Sequence, residues 1–398
     1  MLNCSYTCNL LAEPPDRYRP GGYHPIHLGD VLGNGRYKII HKLGWGGFST
    51  VWAARDRTLD QNVAIKVNIS NTTTASRESR YLQKLSTDDT HDHAPSHILR
   101  YLDEFQLSGP NGQHLCIVTE LLGPSVAVAL DTQGFSGGRL PTQWLTKFVK
   151  NFLQALDYLH QRKIAHGDIH TGNIAFREKD WDYLSEEELL SRLGNPLTCE
   201  VMRNGGGSLE IGVPRYLVEP SSLKVSKPPS PCPDMRLIDL GQAFGANDRP
   251  ETLHTPLALQ APEVVFEDKW DYRVDLWSAG CTIFEFIATQ PPFDTVFQTK
   301  QMLIDQMVME IGELPARWAV KVPEKPPQVF GPVNLLEEDL DLKLEEMLSY
   351  LYFLPIRQPE LTRDQVMAWA RIIRRLMKFE PSERASAASV LQESCFLE

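Results

Sequence analysis

Three short stretches of this sequence hold residues whose types and spacing suit one chemistry, the movement of a phosphoryl group. In HGDIHTGN, Asp168 and Asn173 stand five residues apart in a loop that directly follows a helical pattern. That spacing can set a carboxylate beside an acceptor hydroxyl and an amide oxygen on a metal. In MRLIDLG, Asp239 ends an apolar strand, where a carboxylate would take a Mg²⁺ that bridges nucleotide phosphates. In LGWGGFSTVWAARD, residues 43–56, Gly44, Gly46 and Gly47 make a tight turn between two strands, so that backbone N–H groups can approach phosphates closely. The next strand carries VAIK, and its Ala64 and Lys66 face the same way. A small residue can then lie against an adenine while the ammonium reaches phosphate oxygens. Glu78, on the helix that follows, is the candidate ion-pair partner that would hold Lys66 over the α- and β-phosphates. Each stretch alone also reads as an ordinary hairpin, edge strand or surface loop; their order along one chain is hard to reach by chance.

The elements that must position these residues change character along the chain. Residues 1–36 are rich in Pro and Gly with little periodicity, which predicts an extended arm laid over a domain. RYKIIHKLG, STVWAARD and NVAIKVNI are short, β-branched and bounded by Gly, Asp and Asn, as antiparallel strands are. ASRESRYLQKLS reads as a helix and HLCIVTELLG as a buried strand ending at Gly123 and Pro124. Beyond it the period is helical, with Trp144, Phe148, Phe152, Leu156 and Leu159 forming one apolar stripe. Residues 177–234 interrupt the pattern: Ser185 and Glu188 form a capping box, Gly194 is a stop, and Gly205 to Gly207 and six prolines between 214 and 233 follow. That is an insertion. YRVDLWSAGCTIFEFIA and DQVMAWARIIRRLMKF return to helix. The expected fold is α+β and two-lobed: a small antiparallel β-rich lobe over 37–123, then a larger helical lobe over 124–398 that contains the insertion.

Composition sets outer bounds. The chain has 398 residues, 42% hydrophobic and 23% charged, an ordinary globular composition that excludes a peptide hormone, a disulfide miniprotein and a disordered or fibrous protein. Forty Lys+Arg against 51 Asp+Glu give a net charge of -11, so direct nucleic-acid binding is not expected. The acidic surplus suits either a basic partner or a solvated surface. Seven cysteines, at 4, 8, 116, 199, 232, 281 and 395, form no CxxC pair and no zinc spacing, which predicts reduced thiols in a cytoplasmic or nuclear setting. The N-terminus lacks a basic leader before an apolar core, and CTIFEFIA is too short to span a bilayer and carries Glu285, so neither a signal peptide nor a membrane span is expected. Oligomeric state leaves no mark in the sequence.

Taken together, the Gly-rich loop, VAIK, an HxD loop with its Asn, DLG in place of DFG, Ala261-Pro262-Glu263 and Asp275-Leu276-Trp277 resemble the protein-kinase family from about residue 20 to the C-terminus. Arg384, in PSERASAASVL, looks like that family's late arginine that pairs with the APE glutamate, here Glu263; otherwise it is a solvated helix charge. Within the kinases, YRPGGYHPIHLGDVLGNGRYKIIHKLGWGGFSTVWAARD is similar to the opening of the serine/arginine-protein kinases (SRPK), including the Trp after the first Gly and FSTVW. The insertion falls where that group carries a longer spacer. The resemblance implies an ATP- and Mg²⁺-dependent serine/threonine protein kinase. Asp168 would be the catalytic base, Lys66 and Glu78 the phosphate-positioning pair, and Asn173 and Asp239 the Mg²⁺ ligands. Leu43, Gly44, Trp45, Gly46, Gly47, Phe48, Val51 and Ala64 would line the nucleotide. Thr119 would be the gatekeeper, and Glu120 and Leu122 would offer backbone groups to adenine. The implied partners are proteins with Ser in Arg/Ser-rich segments of splicing type.

Several positions depart from the family. Gly167 stands where an Arg usually precedes the catalytic Asp, which leaves no arginine for a phosphorylated activation loop to neutralise and predicts activity without that modification. His170 stands where a Lys normally contacts the γ-phosphate, so transition-state charge would be less well compensated and turnover slow. Thr255 aligns with the family's threonine, but TPLALQAPE is one residue too long and lacks the usual Tyr or Arg. HGDIHTGN also resembles the HGDLHxxN loop of small-molecule phosphotransferases such as choline and aminoglycoside kinases. Against that rival stand the APE motif, Asp275 with Trp277, Arg384 and the long N-terminal match. A third reading, a pseudokinase binding module, is motivated by His170 and opposed by the intact Lys66, Asp168, Asn173 and Asp239. The run LLEEDLDLKLEEM, with Glu337, Glu338 and Asp339, is either a docking patch for arginines or a solvated amphipathic helix.

Overall fold

The computed structural model describes residues 5–70, 73–86, 97–131, 140–221, 232, 234–293, 299–322, 343–354 and 359–396. The elements that position the site are strands β1 (Val31–Leu32), β2 (Tyr37–Gly46), β3 (Ser49–Asp56), β4 (Gln61–Asn68), β5 (Tyr101–Gly109) and β6 (Gly112–Glu120), and helices α1 (Thr73–Ser86), α2 (Thr142–Gln161), α3 (Glu186–Leu193), α4 (Val274–Ala288), α5 (Lys300–Ile311), α6 (Lys343–Tyr352) and α7 (Arg363–Leu376). Contacts divide the chain into two units, one of residues 1–94, 99–124 and 176–224, the other of 95–98, 125–175 and 225–398.

The first unit is built on a six-stranded antiparallel sheet in the order β1-β2-β3-β4-β6-β5. Alternation sends Tyr37, Ile39, Trp52, Ala54, Val63, Ile65, Val67, Cys116 and Val118 into one core together with Ile26 and Leu32 of the arm. Ile40, Ala53 and Ala64 pack instead with Leu121 and with Leu189 and Leu193 of α3. The predicted capping box is present: the Ser185 hydroxyl accepts from the Glu188 N–H, and the Glu188 carboxylate accepts from the Ser185 N–H. Gly194 stops α3 at φ 86°, donating its N–H to Leu190 O at 2.9 Å.

Two expectations about organisation change here. The sequence placed all of 177–234 in the larger lobe, yet residues 176–224 belong to the β-rich unit. The physical reason is the apolar face of α3, whose Leu189 and Leu193 pack with Ile40, Ala53 and Ala64 of the sheet, and Val218, which is buried in the core on which the sheet is built. The arm, in turn, is woven into this unit. Tyr6–Thr7 pairs with Met202–Arg203, and Tyr6, Tyr18 and Tyr23 share a core with Val201, Val213 and Leu217.

In the second unit the predicted stripe of α2, from Trp144 to Leu159, is buried along its length. Every residue of α4 except Glu285 is buried, which makes it a core helix, apolar almost all round. α4 takes edge-on contacts from Phe148 and Phe152 of α2 through Phe286, at 5.5 and 6.2 Å between centroids. α7, closed by a Thr362–Gln365 capping box, packs on α4 and α6. Among the described residues no helix is long and apolar enough to cross a membrane.

Candidate active site

In the β-rich unit, β2 and β3 form the hairpin that carries the glycine stretch, with Gly46 opposite Ser49. Leu43, Gly44, Trp45 and Gly46 lie on β2, and Gly47 and Phe48 make the turn; the Trp45 and Phe48 side chains are exposed. Across the next pairing Val51 stands opposite Lys66, and Ala64 lies between Ala53 and Thr119. Lys66 Nζ meets Glu78 Oε2 at 2.8 Å, with the carboxylate 3% exposed and the ammonium 20% exposed. Burial of this kind makes the pair worth more than a surface bridge and fixes the direction of the Lys66 stem. At the end of β6, Thr119 is buried and its hydroxyl donates to Glu120 O at 3.3 Å. The Glu120 carboxylate accepts from Arg177 Nε at 2.7 Å and from the Arg100 N–H at 2.9 Å. Arg177 also donates to Leu121 O at 3.4 Å and to Asp182. Leu122 follows, half-buried. Arg177 was not singled out in the sequence, although a charge directly after the apolar run IAF is the signal that a buried partner exists.

In the helical unit, one buried carboxylate anchors the start of HGDIHTGN. Asp275, 1% exposed on α4, accepts from the His166 N–H at 2.7 Å, from the Gly167 N–H at 2.8 Å and from His160 Nε2 at 3.0 Å. The Asp168 N–H donates to His166 Nδ1 at 3.2 Å, so the other ring nitrogen carries the proton and donates to Ile238 O at 2.9 Å. Ile238 N–H in turn donates to Asn173 O at 2.9 Å, which seats Asp239 beside the loop. Asn173 Nδ2 donates to Asp168 O at 2.8 Å and to Asp168 Oδ2 at 3.2 Å. The amide nitrogen is thereby committed to Asp168, and Oδ1 is the end turned elsewhere. Asp168 Oδ1 is buried and, among the described residues, has no hydrogen-bond partner. A buried carboxylate oxygen without a donor is costly, and such an atom is suited to receive a proton or a hydroxyl from a substrate. Asp239 adopts the left-handed conformation, φ 61° and ψ 72°, and its carboxylate accepts from the Gly241 N–H at 3.2 Å. For a non-glycine residue this backbone is uncommon and is retained where the surroundings enforce it.

The departures also find their geometry. His170 Nδ1 accepts from the Gly172 N–H at 3.0 Å, which puts the ring proton on Nε2, 3.7 Å from Asp168 Oδ2. Next to it the Thr171 hydroxyl donates to Glu285 Oε1 at 3.0 Å. Burial pushes the Glu285 carboxyl above its ordinary pKa, with Thr171 and His170 opposing that shift. Gly167 has φ 80°, and a Cβ there would sit 2.6 Å from Gln242 O; its carbonyl accepts from the Thr255 hydroxyl at 2.7 Å. Arg384 and Glu263 form a bidentate pair at 2.7 and 2.6 Å with exposures of 0% and 1%, so the arginine is a buried structural ligand of the APE helix. Glu337, Glu338 and Asp339 lie outside the described residues.

Comparison with known proteins agrees with these features. The protein kinase domain profile matches residues 37–183 and 227–396, leaving out the arm and most of the insertion. The serine/threonine-protein kinase SRPK of Physarum polycephalum is 27% identical over 397 residues, covering 96% of this chain and 90% of that protein. SRSF protein kinase 3 of Homo sapiens is 41% identical over 166 residues, which cover 41% of this chain and 29% of that protein. In the solved structures, a crystal structure of a kinase domain superposes with a TM-score of 0.63 at 19% identity, covering 94% of this chain and 98% of that one, which shows the fold. The chain belongs to the protein kinase domain family. It is an SRPK-like serine/threonine protein kinase with the α+β kinase fold, a class that acts on protein substrates with ATP.

Proposed function

We propose that this kinase transfers the γ-phosphate of ATP to serine in Arg/Ser-rich segments of proteins, with Asp168 as the base and with Mg²⁺ held by Asn173 Oδ1 and Asp239. The observation that carries the reading is the buried, donor-free Asp168 Oδ1, beside an Asn173 whose nitrogen is spent on the same aspartate. Asp168 would accept the proton of the serine hydroxyl as the serine oxygen bonds to the γ-phosphorus and the bond from that phosphorus to the β-phosphate oxygen breaks, releasing ADP. Lys66, held by Glu78, would keep the α- and β-phosphates in place, and the Gly-rich turn would offer N–H groups to the phosphates beyond. One amide oxygen and one carboxylate are hard oxygen donors of the kind Mg²⁺ takes, so Asn173 and Asp239 would hold it. When bound, that ion supplies positive charge against the developing charge of the transferred group. Thr119, Glu120, Leu122, Leu43, Val51 and Ala64 complete the adenine side in this reading.

The names of the two relatives and the net charge of -11 support a basic, Arg/Ser-rich acceptor. Gly167 supports activity without activation-loop phosphorylation, because its backbone and the Gln242 carbonyl exclude an arginine side chain there. A cytoplasmic or nuclear setting is inferred from the seven scattered cysteines, read as reduced thiols. The test offers labelled ATP with Mg²⁺ to an Arg/Ser-repeat peptide, a generic basic protein and a set of aminoalcohols. Preferred transfer to the repeat peptide is expected. Transfer only to an aminoalcohol would replace this reading with a small-molecule phosphotransferase, and nucleotide binding without transfer would make the chain a pseudokinase.

A further inference from the structure

The glycine turn does not stand alone in the β-rich unit. The Tyr23 hydroxyl, on a side chain only 1% exposed, donates to Gly46 O at 2.7 Å. The Arg17 guanidinium donates to Gly47 O and lies 4.8 Å over the Tyr23 ring. The next carbonyl, of Phe48, accepts from the Ile69 N–H at 2.9 Å. Three successive peptide groups of the turn are therefore held, two of them by the arm.

The arm is itself fixed. The Glu13 carboxylate, 1% exposed, accepts from the Tyr18 hydroxyl and from Lys42 Nζ, and Lys42 lies on β2, the strand that leads into the turn. Asn111 Nδ2 donates to Tyr23 O at 2.6 Å, and the Gly21 N–H donates to Asn111 O at 2.8 Å. A Cβ on Gly22 would lie 2.0 Å from Arg17 O, so the bend that brings Arg17 and Tyr23 together accepts only glycine.

A trans peptide is planar, and its N–H points opposite to its C=O. Holding Gly46 O toward the arm turns the Gly47 N–H away from it, and holding Gly47 O does the same for the Phe48 N–H. Without these donors, two glycines in a row would leave both planes free to rotate, at a cost in entropy whenever they are ordered. We propose that Tyr23 and Arg17 are positioning residues of the nucleotide site, orienting the Gly47 and Phe48 N–H groups for the terminal phosphates of ATP. This rests on the kinase reading and adds the arm to its phosphate-binding machinery.

The test uses the full chain with Tyr23→Phe, which keeps the buried ring, and Arg17→Gln at a partly exposed position. Dissociation constants for ATP, ADP and adenosine are measured beside kcat, KM for ATP and the melting temperature. Loss of one hydrogen bond that orders the phosphate turn should weaken ATP about five-fold in either variant, and more in the double variant. Adenosine affinity should stay at the wild-type value, because adenosine has no phosphate for these groups to meet. A merely structural role would lower the melting temperature and move ATP and adenosine together. An unchanged ratio of ATP to adenosine affinity in both variants would overturn the proposal. A wild-type chain that binds no ATP would overturn the kinase reading itself, and this proposal with it.

Discussion

Replacing Arg384, whose side chain is buried against Glu263, with Met should strongly destabilise the helical unit. The guanidinium spends all five of its N–H groups: two on Glu263, and one each on Lys378 O at 2.8 Å, Arg273 O at 2.8 Å and Phe379 O at 3.2 Å. Methionine fills the stem but leaves a carboxylate at 1% exposure without its counter-charge. Breaking such a buried pair from one side costs about 3–5 kcal/mol, and the three carbonyls that lose a donor keep the value toward the upper end. At roughly 2–4 °C per kcal/mol for a unit of this size, the melting temperature should fall by about 8–16 °C. Urea unfolding followed by tryptophan fluorescence is the assay, with Glu263→Leu and the double variant beside it. The double variant should be more stable than Arg384→Met alone, because no uncompensated charge is left. A loss below about 1 kcal/mol in Arg384→Met, or costs that simply add in the double variant, would refute the reasoning.

The remaining predictions concern the site and the arm. His170→Lys exchanges a ring that caps the Gly172 N–H at 3.0 Å for a permanent cation. It should raise kcat roughly ten-fold while lowering stability by about 0.5–1 kcal/mol, and unchanged or slower turnover would remove His170 as the reason for a low rate. Acid should loosen the β-rich unit. His24 packs edge-on against His114 at 4.9 Å between centroids, and burial, with the His114 charge second, lowers its pKa to about 4. Burial also lowers His114. Because the folded pKa lies below the unfolded value, the unfolded chain binds more protons. The stabilisation is therefore complete above about pH 6.5 and is lost as pH falls toward 4, by about 1 kcal/mol at pH 5.5 for His24. Unfolding midpoints at pH 7 and 5.5 should differ more in the wild type than in His24→Phe; equal differences would exclude the pair as the cause.

The candidate residues were legible because the motifs that hold them are local in sequence. The spacing of Lys66, Asp168, Asn173 and Asp239 survives projection onto one dimension, and so do the Ser185–Glu188 box and the α2 stripe, since caps and helical periods are set within a turn or two. The pairs Lys66–Glu78 and Arg384–Glu263 were legible through the motifs that hold them. What stayed hidden depends on packing between distant segments. An amphipathic α3 states that it will be covered and is silent about which surface covers it, so residues 176–224 were assigned to the wrong unit. The Arg177–Glu120 pair and the hold of Tyr23 and Arg17 on two carbonyls join positions 57, 23 and 30 residues apart through the backbone or buried charge, for which no spacing rule exists. The left-handed backbone at Asp239 is compatible with its residue type, since aspartate tolerates that region, but residue type alone does not single it out from the other aspartates.

The central claim, that Asp168 Oδ1 is the base for phosphoryl transfer to serine, is tested most directly by single-turnover transfer from labelled ATP to an Arg/Ser-repeat peptide. Wild type and Asp168→Asn are compared, with ATP affinity measured in both and the labelled residue identified by acid hydrolysis. Asparagine keeps the shape and can still meet Asn173, so ATP should bind within about two-fold while the transfer rate drops by about 10²–10⁴ and the label in the wild type is phosphoserine. Equal rates in the two proteins, or label on a residue other than Ser or Thr, would contradict the account.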